Sequence, residues 1–308
     1  MANWLRPVYD LLHKQLCREP VLHADETTLQ VLKEPGRSST SKSYMWLYRT
    51  SGCAKQAIVL YEYQPTRKAE HAEAFLKGFS GWLHADGYQG YHKLSENIRV
   101  VGCWAHARRK FDEALQTLPK EMQKDSPAAI GEWYCSQLFK LEQALAELTP
   151  EERYEKRLEQ EKPVLDALLS WANAMQAKTA PKSALGKAIH YLLEQWPYLT
   201  RYLEDGRLEL SNNRAERSMK PFVMGRKNWL GQAPDGDPGG GAGRREGRGW
   251  TDRRAGAGGG FSAGRHDRRD HHDRLNLHRL HRAGTQERSG LYRLQHRRYG
   301  QENPLKAT

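Results

Sequence analysis

The sequence lacks the features of a membrane protein or of a protein built on disulfides. No apolar run approaches the roughly 20 residues that cross a bilayer. The first residues do not join a basic segment to an apolar core, as a signal peptide would. Its four cysteines, Cys17, Cys53, Cys103 and Cys135, form no CxxC pair, which favours free thiols in a reducing compartment. We therefore expect a cytoplasmic protein with no membrane partner.

The last quarter of the chain has no Val, Ile, Met or Cys, and Lys306 is its single lysine. Residues 231–308 also hold 16 of the 27 glycines. Without bulky apolar side chains this tail cannot bury enough surface to offset its ordering entropy, and we predict that it is disordered. It is either a natural basic tail that follows phosphates or an out-of-frame translation of GC-rich DNA. The abrupt onset after Leu230 favours the second origin.

Acidic residues are outnumbered by cations. The 49 lysines and arginines against 37 aspartates and glutamates leave a formal net charge of +12. Such an excess attracts polyanions, among which nucleic acid is the usual one. The charge therefore indicates a polyanionic partner such as nucleic acid, and it says nothing about the fold.

The first 230 residues alternate between strand and helix patterns. A helix is predicted over residues 1–20 and another over 68–79, each with apolar residues at helical spacing. Five β-branched or alternating runs predict strands: VLHADETTLQVL, SYMWLYRT, QAIVLYEY, WLHADGYQGY and IRVVGCW. The order predicts an α/β fold of ribonuclease H-like type, in which a mixed five-stranded sheet carries helices on its faces.

A long helical stretch separates the fifth strand from a last helix. Residues 120–203 are rich in Glu, Lys, Leu and Ala, and we expect helix breaks at Pro127, Pro150, Pro163, Pro181 and Pro197. The last helix is predicted to begin near Ser211-Asn212-Asn213, which are good N-cap residues, and to be interrupted at Pro221. We predict four regions: a first core part at 1–118, a helical insertion at 119–205, a final core helix at 206–230, and the tail at 231–308.

Three acidic residues lie where carboxylates are costly. Asp25 is in the first strand, within H-A-D-E-T, and Asp86 is at the end of the fourth strand, within a second copy, H-A-D-G-Y. Glu216 is on the last helix, within N-N-R-A-E-R-S-M-K. A carboxylate on an apolar strand needs a partner, and a cluster of three suits two Mg²⁺ or Mn²⁺ ions that activate a hydroxyl or water against a phosphodiester. Alternatively, each aspartate is an edge residue and Glu216 is a solvated partner of Lys220 at i+4.

Four segments carry a resemblance to a known family. They are H-A-D-E-T, W-L-H-A-D-G-Y-Q-G-Y, V-G-C-W-A-H-A-R-R-K-F and, most specifically, L-E-L-S-N-N-R-A-E-R-S-M-K-P-F-V-M-G-R-K-N-W-L. Over about residues 1–230 the chain resembles the insertion sequence 66 family of transposases. The resemblance implies a DDE triad at Asp25, Asp86 and Glu216 and a helical insertion within the core. It also implies cleavage at transposon ends and strand transfer into target DNA.

The chain departs from that family pattern at both ends. Nothing before Trp4 supplies the coiled-coil or zinc-binding element that usually leads, and the tail stands where an apolar helical segment usually follows. We therefore expect a product truncated at the N-terminus and frameshifted after about residue 230. Two alternatives stay open: another nuclease on the ribonuclease H-like fold, and an inactive remnant that only binds DNA.

Basic residues near the predicted triad are candidates for DNA contacts. The resemblance also implies DNA as the partner, a homo-oligomer on that DNA, and an association with the nucleoid. The candidate phosphate-binding residues, whose alternative is a solvated helix face, are His106, Arg108, Arg109, Arg214, Arg217, Lys220, Arg226 and Lys227. Cys103 and His106 have the spacing of half a zinc site, but no second Cys/His pair follows. A packed thiol beside a histidine near the active centre is thus the favoured interpretation.

Overall fold

The structure, a computed structural model, describes residues 2–32 and 34–229. The predicted disorder and frameshift of residues 231–308 lie outside the described residues. Within the described ranges, no helix is both long enough and apolar enough to cross a membrane.

The five predicted strands form one mixed sheet. Its order is β3-β2-β1-β4-β5, with β1 at the centre. β1 pairs antiparallel with β2 and β2 antiparallel with β3, whereas β1–β4 and β4–β5 are parallel. The predicted α/β class and mixed five-stranded sheet are confirmed. The strands are β1 (Val21–Gln30), β2 (Lys42–Thr50), β3 (Val59–Gln64), β4 (Gly81–His84) and β5 (Ile98–Val101).

Helices flank the sheet and fill the long segment before the last helix. Short 3₁₀ turns occur at Tyr91–Lys93 and Thr200–Glu204, and a π-helical turn, Arg157–Glu161, joins two helices without a break. The helices are α1 (Ala2–Leu16), α2 (Ala69–Phe75), α3 (Trp104–Gln116), α4 (Lys120–Gln123), α5 (Pro127–Ala144), α6 (Pro150–Lys156), α7 (Lys162–Gln176), α8 (Ala184–Leu199) and α9 (Asn213–Trp229). The four predicted regions stay a prediction.

The helix breaks predicted at Pro127, Pro150 and Pro181 are present, since α5 and α6 begin at the first two and the third lies between α7 and α8. Pro127 and Pro150 stand in the first turn of a helix, where the missing N–H costs nothing. The break predicted at Pro163 was wrong, since the helix continues from α6 through the π-helical turn into α7.

Pro197 and Pro221 were predicted to break helices, and this was wrong, since both lie inside α8 and α9. An internal proline costs about 3 kcal/mol. For α9, the packing of its flanking apolar residues against the sheet offsets this cost.

The side chains of β1 point alternately to the two faces of the sheet, and each face packs against a different set of helices. Successive strand residues point to opposite faces. Leu22 and Ala24 pack in the cluster formed with α1 and α2, whereas Val21 belongs to the cluster built with α3, α5, α7 and α8. His23 and Asp25 share the parity of Val21. The Asp25 carboxyl therefore belongs to the face that α9 covers, and the neighbouring Glu26 to the opposite face.

Much of the apolar face of α1 is exposed. The predicted helix over residues 1–20 is present but ends at Leu16. Leu16 is fully buried, whereas Trp4, Leu5 and Val8 are exposed by 86%, 66% and 53%.

A buried arginine ties the helical stretch to the segment that leads into α9. Arg157, in the π-helical turn, is fully buried and forms a bidentate pair with Glu142, with Nε–Oε1 and Nη2–Oε2 distances of 2.5 and 2.9 Å. Its guanidinium also donates to the carbonyls of Tyr202, Asp205 and Leu208 at 2.8, 3.1 and 2.7 Å. Three of these five hydrogen bonds hold the segment just before the last helix, and the other two tie Arg157 to α5.

Candidate active site

The parallel pairing of β1 and β4 brings the two H-A-D tripeptides side by side. His23 is in register with His84, so Asp25 and Asp86 each follow a matched residue by two positions. Adjacent strands lie about 4.8 Å apart. Asp25 is still within β1, and Asp86 lies two residues beyond β4. The repeated tripeptide thus places two carboxylates at the same edge of the sheet.

His23 and His84 form a buried, stacked pair of side chains beneath these carboxylates. Their rings stack with centroids 4.5 Å apart, and both side chains are fully buried. Burial holds the pKa of His84 well below its usual range, so the ring is neutral and its Nε2 accepts the Glu209 N–H at 3.1 Å. Sequence reasoning missed His23, His84 and Glu209, although the histidine in both copies of the tripeptide was a usable signal.

Glu209 links this histidine pair to α9 and to the β2–β3 connection. Its Oε1 lies 3.4 Å from His23 Nε2 and accepts from Arg214 Nε at 2.6 Å. It also accepts from the N–H of Gly52, in the β2–β3 connection, at 3.2 Å. Burial alone would raise the pKa of Glu209, but the contacts with His23 and Arg214 outweigh it and hold the pKa well below the usual range. Glu209 is therefore an ionised structural carboxylate.

Asn212 attaches the start of α9 to β1. Its side chain is buried; Oδ1 accepts from His23 Nδ1 at 2.9 Å and Nδ2 donates to the Ala24 carbonyl at 2.8 Å. Its own carbonyl accepts the N–H of Glu216 at 3.2 Å. Asn212 was predicted as a cap; it also makes two side-chain bonds to the strand that carries Asp25. These bonds determine where the first turn of α9 presents Glu216.

Glu216 lies on the side of the sheet that Asp25 faces. Ala215 and Met219, its neighbours on α9, pack against Leu47 of β2. The carboxylate is 3.8 Å from His106 Nδ1 and 3.8 Å from Arg109 Nη2, both on α3. Among the described residues no ion pair joins Glu216 to Lys220. The alternative prediction, a simple i+4 pair on the helix surface, is therefore not observed.

The carboxylates of Asp25, Asp86 and Glu216 interact electrostatically. Burial, followed by repulsion from Glu26, Asp86 and Glu216, raises the pKa of Asp25 to about 7, although the Glu26 N–H opposes this by donating to Oδ1 at 2.9 Å. Asp25 and Glu216 line one cleft of about 520 Å³, here called the acidic cleft, with Glu26, Thr27, Asn213, Arg217, Met219, Lys220 and Val223. Asp86 and His106 line the adjoining depression.

A fourth carboxylate, which sequence reasoning did not single out, supports Asp86 indirectly. The Glu26 side chain is 1% exposed and accepts from Tyr91 Oη at 2.5 Å and from Arg67 Nε at 2.7 Å. Arg67 extends from there to within 3.7 Å of Asp86 Oδ2 and stacks over the Tyr88 ring at 4.1 Å. Glu26 thus has two hydrogen-bond donors inside the protein, although burial raises its pKa and it also lines the acidic cleft.

Cys103 and His106 do meet a third ligand-type side chain. One ligand atom from each of Cys103, His106 and Glu216 lies within 4.8 Å of the others. The Cys103 side chain is buried and its Sγ accepts the Asn212 N–H at 3.2 Å. Among the described residues, the buried atoms His106 Nδ1 and Glu216 Oε1 have no hydrogen-bond partner. The sequence prediction considered only cysteine and histidine as further zinc ligands and so missed Glu216, which lies 110 residues after His106.

The predicted DNA-contacting residues divide into two groups. Arg217 and Lys220 are exposed at the acidic cleft, and Arg109 is exposed beside Glu216.

The remaining members have protein contacts or point elsewhere. Arg214 is bonded to Glu209, and Arg226 donates to the Thr28 carbonyl, so both side chains have protein partners. Arg108 lies over the Phe139 ring at 4.9 Å, on the side of the helical stretch. His106 lines the depression with Asp86, and the Lys227 side chain lies outside the described residues.

An α/β protein with acidic side chains gathered at one edge of a mixed sheet is therefore the class that fold and site define. Carboxylate oxygens are the ligands that hard divalent cations prefer, and the surrounding cations suit a polyanionic ligand.

The comparison with protein families identifies the group to which this chain belongs. A model described as "Transposase IS66 family" matches residues 1–237, so the chain belongs to that family. The predicted family membership is confirmed.

Three curated relatives, all from Sinorhizobium fredii (strain NBRC 101917 / NGR234), are similar to this chain. The uncharacterized protein y4qI is 32% identical over 250 residues, covering 75% of this chain and 45% of the relative. The uncharacterized proteins y4hP and y4jD are 30% and 31% identical, covering 73% and 74% of this chain and 43% and 46% of their own lengths. The chain thus spans less than half the length of these relatives. No solved structure matches it.

Proposed function

We propose that this chain carries the catalytic centre of a DNA transposase of DDE type on a ribonuclease H-like core. In this proposal it cleaves DNA at transposon ends and joins the freed 3′-hydroxyl to target DNA. The single observation that carries the proposal is that the β1–β4 register brings Asp25 and Asp86 to the same end of neighbouring strands, while Glu216, from α9, lines one cleft with Asp25. The strand order, with two parallel pairs beside two antiparallel ones, supports the assignment of the core.

In this proposal Asp25, Asp86 and Glu216 would hold a pair of Mg²⁺ or Mn²⁺ ions. The donor set is all oxygen, as these cations prefer, and Asp25 is held among like charges, with a pKa raised to about 7, in a setting that a cation would relieve. Glu216 Oε1 is buried without a hydrogen-bond partner among the described residues. When bound, such ions activate an attacking oxygen and stabilise the departing 3′-oxygen of a phosphodiester.

The remaining work of the chain is to hold these groups and the DNA in place. His23, Asn212 and Glu209 fix the start of α9 against β1, which sets the position of Glu216. Arg67, anchored on the buried Glu26, supports the side chain of Asp86. Phosphoryl transfer depends mainly on such positioning and on charge.

Arg109, Arg217 and Lys220 are the candidates to contact phosphate, because they are exposed around the acidic cleft. Arg214 and Arg226 are bonded within the protein and are the weaker candidates. Replacing Arg217 or Lys220 by alanine should weaken binding to any duplex and lower the slope of log K against log salt by about 1.

The activity is tested with the purified chain, labelled DNA carrying the ends of its own element, and a target plasmid. The unchanged chain should cleave and transfer strands only when Mg²⁺ or Mn²⁺ is present. Asp25→Asn, Asp86→Asn and Glu216→Gln should each lower the rate by at least about 1000-fold, because lost metal coordination removes several kcal/mol and each 1.4 kcal/mol is tenfold. Asp166→Asn, an exposed carboxylate on α7, is the matched control and should leave the rate unchanged.

Three results would contradict the proposal. Cleavage that persists in Asp25→Asn would remove the metal site from the mechanism. Cleavage without strand transfer would favour a nuclease on the same fold. Metal-independent DNA binding with no cleavage by the unchanged chain would favour an inactive remnant. A homo-oligomer on DNA, which two transposon ends would require, stays a prediction that sizing of the DNA complex tests.

A further inference from the structure

A second set of potential metal ligands lies beside the three carboxylates and shares one of them. Cys103 stands just before α3, His106 lies in its first turn, and Glu216 reaches them from α9. Their ligand atoms all lie within 4.8 Å of one another. The ligand atoms of a tetrahedral zinc ion are roughly 3–4 Å apart, so only small side-chain rotations are needed to close this set around one ion.

The chemistry of this set differs from that of the aspartates. A sulfur, an imidazole nitrogen and one carboxylate oxygen suit Zn²⁺ and similar borderline-soft ions, whereas Mg²⁺ prefers oxygen alone. Sites with three protein ligands leave the fourth position of zinc to water. The depression that His106 lines with Asp86 opens to solvent and gives such a water access.

Two atoms of the set lack partners that would compete with a metal. His106 Nδ1 and Glu216 Oε1 are buried and make no hydrogen bond within the described part of the chain; they face each other at 3.8 Å, too far for one. Cys103 Sγ receives the backbone N–H of Asn212 at 3.2 Å, a contact that stabilises negative charge on sulfur. These are the features expected of a metal-binding set rather than of a closed hydrogen-bond network.

We propose that Cys103, His106 and Glu216 form a Zn²⁺ site that competes with the magnesium site for Glu216. Binding releases the Cys103 thiol proton to solvent and leaves a thiolate–zinc bond. Because one carboxylate then coordinates zinc, it is withdrawn from the ions held by Asp25 and Asp86. Zinc therefore acts as an inhibitor of catalysis; this consequence, unlike the binding itself, rests on the proposed function.

Cobalt binding tests the site without any assay of activity. The full chain, reduced and stripped of metal, is titrated with Co²⁺ while the sulfur-to-cobalt charge-transfer absorption is recorded. The chain has four cysteines and none after Cys135, so histidines of the tail cannot produce this band. We expect one equivalent of Co²⁺ to give the band and Zn²⁺ to abolish it by displacement.

Single substitutions identify the side chains that produce the cobalt absorption band. Cys103→Ser should abolish it, whereas Cys135→Ser, at an equally buried thiol on α5, should retain it. His106→Ala and Glu216→Gln should weaken Co²⁺ binding by about 100-fold or more, since loss of even an outer-shell partner costs 10–100-fold. The two last variants also serve if circular dichroism finds Cys103→Ser unfolded. A band that survives Cys103→Ser, or no band in a natively folded unchanged chain, would overturn the site.

The competition for Glu216 has its own readout. Zn²⁺ should inhibit Mg²⁺-dependent DNA cleavage over the same concentration range in which it displaces cobalt, in the unchanged chain and in Cys135→Ser alike. Full cobalt displacement with no effect on cleavage would refute the sharing of Glu216. If the chain cleaves no DNA at all, the proposed function fails while the cobalt band still decides whether the zinc site exists.

Discussion

Replacing Asn212 by alanine tests whether the junction between β1 and α9 holds the site together. The change removes two buried hydrogen bonds, from His23 Nδ1 at 2.9 Å and to the Ala24 carbonyl at 2.8 Å. A net hydrogen bond contributes about 1 kcal/mol, and a buried group left without its partner costs a further 1–3 kcal/mol. We expect the free energy of unfolding to fall by roughly 2–4 kcal/mol. Against a usual total of about 5–15 kcal/mol, the variant should still fold.

The measurement is urea unfolding followed by tryptophan fluorescence, with the midpoint and slope fitted together. Asn212→Ala should lower the midpoint and leave the slope unchanged. Asn213→Ala is the matched control, because this neighbouring side chain makes no hydrogen bond among the described residues, and its effect should stay within about 0.5 kcal/mol. Equal losses in the two variants would show that the Asn212 bonds do not stabilise the junction, and the reasoning would be refuted.

The same variant should alter metal binding if the proposed function holds. Glu216 sits one turn beyond Asn212, bonded to its carbonyl at 3.2 Å, so a loosened junction lets the carboxylate move away from Asp25. We expect Asn212→Ala to need more Mg²⁺ for half-maximal cleavage than Asn213→Ala does. An unchanged Mg²⁺ requirement together with the predicted loss of stability would separate the structural role from the positioning role.

Three further predictions concern buried charge. The pKa of Asp25 is raised to about 7, so ionising this carboxyl in the metal-free fold lowers the free energy of unfolding progressively from about pH 4 to pH 7. In metal-free urea unfolding, Asp25→Asn should therefore raise the free energy of unfolding by roughly 2–4 kcal/mol at pH 8 and leave it unchanged at pH 4. An equal gain at both pH values would refute this. Burial, then repulsion from Glu142, raises the pKa of Glu161 to about 8, so Glu161→Gln should stabilise the protein at pH 9 more than at pH 5, as differential scanning calorimetry would measure. Arg157→Met should cost about 3–5 kcal/mol because it strands Glu142 in the interior, and the additional change Glu142→Leu should recover part of this; no recovery would mean that the carbonyl bonds dominate.

The prediction of the elements from the sequence was accurate where local patterns decide them. Strands β1, β2, β3 and β5 lie within a few residues of their predicted positions, whereas β4 ends at His84, seven residues before its predicted end, and α9 continues past Pro221 to Trp229. The errors at Pro197 and Pro221 have one physical cause, since the stabilising packing of a helix on its neighbours is not a local property. In α1 the pattern predicted the helix, but it could not reveal that Trp4 and Leu5 are exposed.

By itself the sequence determined which residues could carry chemistry. The two H-A-D tripeptides and the N-N-R-A-E-R segment, together with the family resemblance they carry, named Asp25, Asp86 and Glu216 as the candidate carboxylates. Only the tertiary structure decided their partners. The register of β1 with β4, the two bonds of Asn212 and the approach of Glu216 to Cys103 and His106 each join residues that are far apart in the chain. Such contacts depend on how the strands and helices pack together, and no local pattern specifies that.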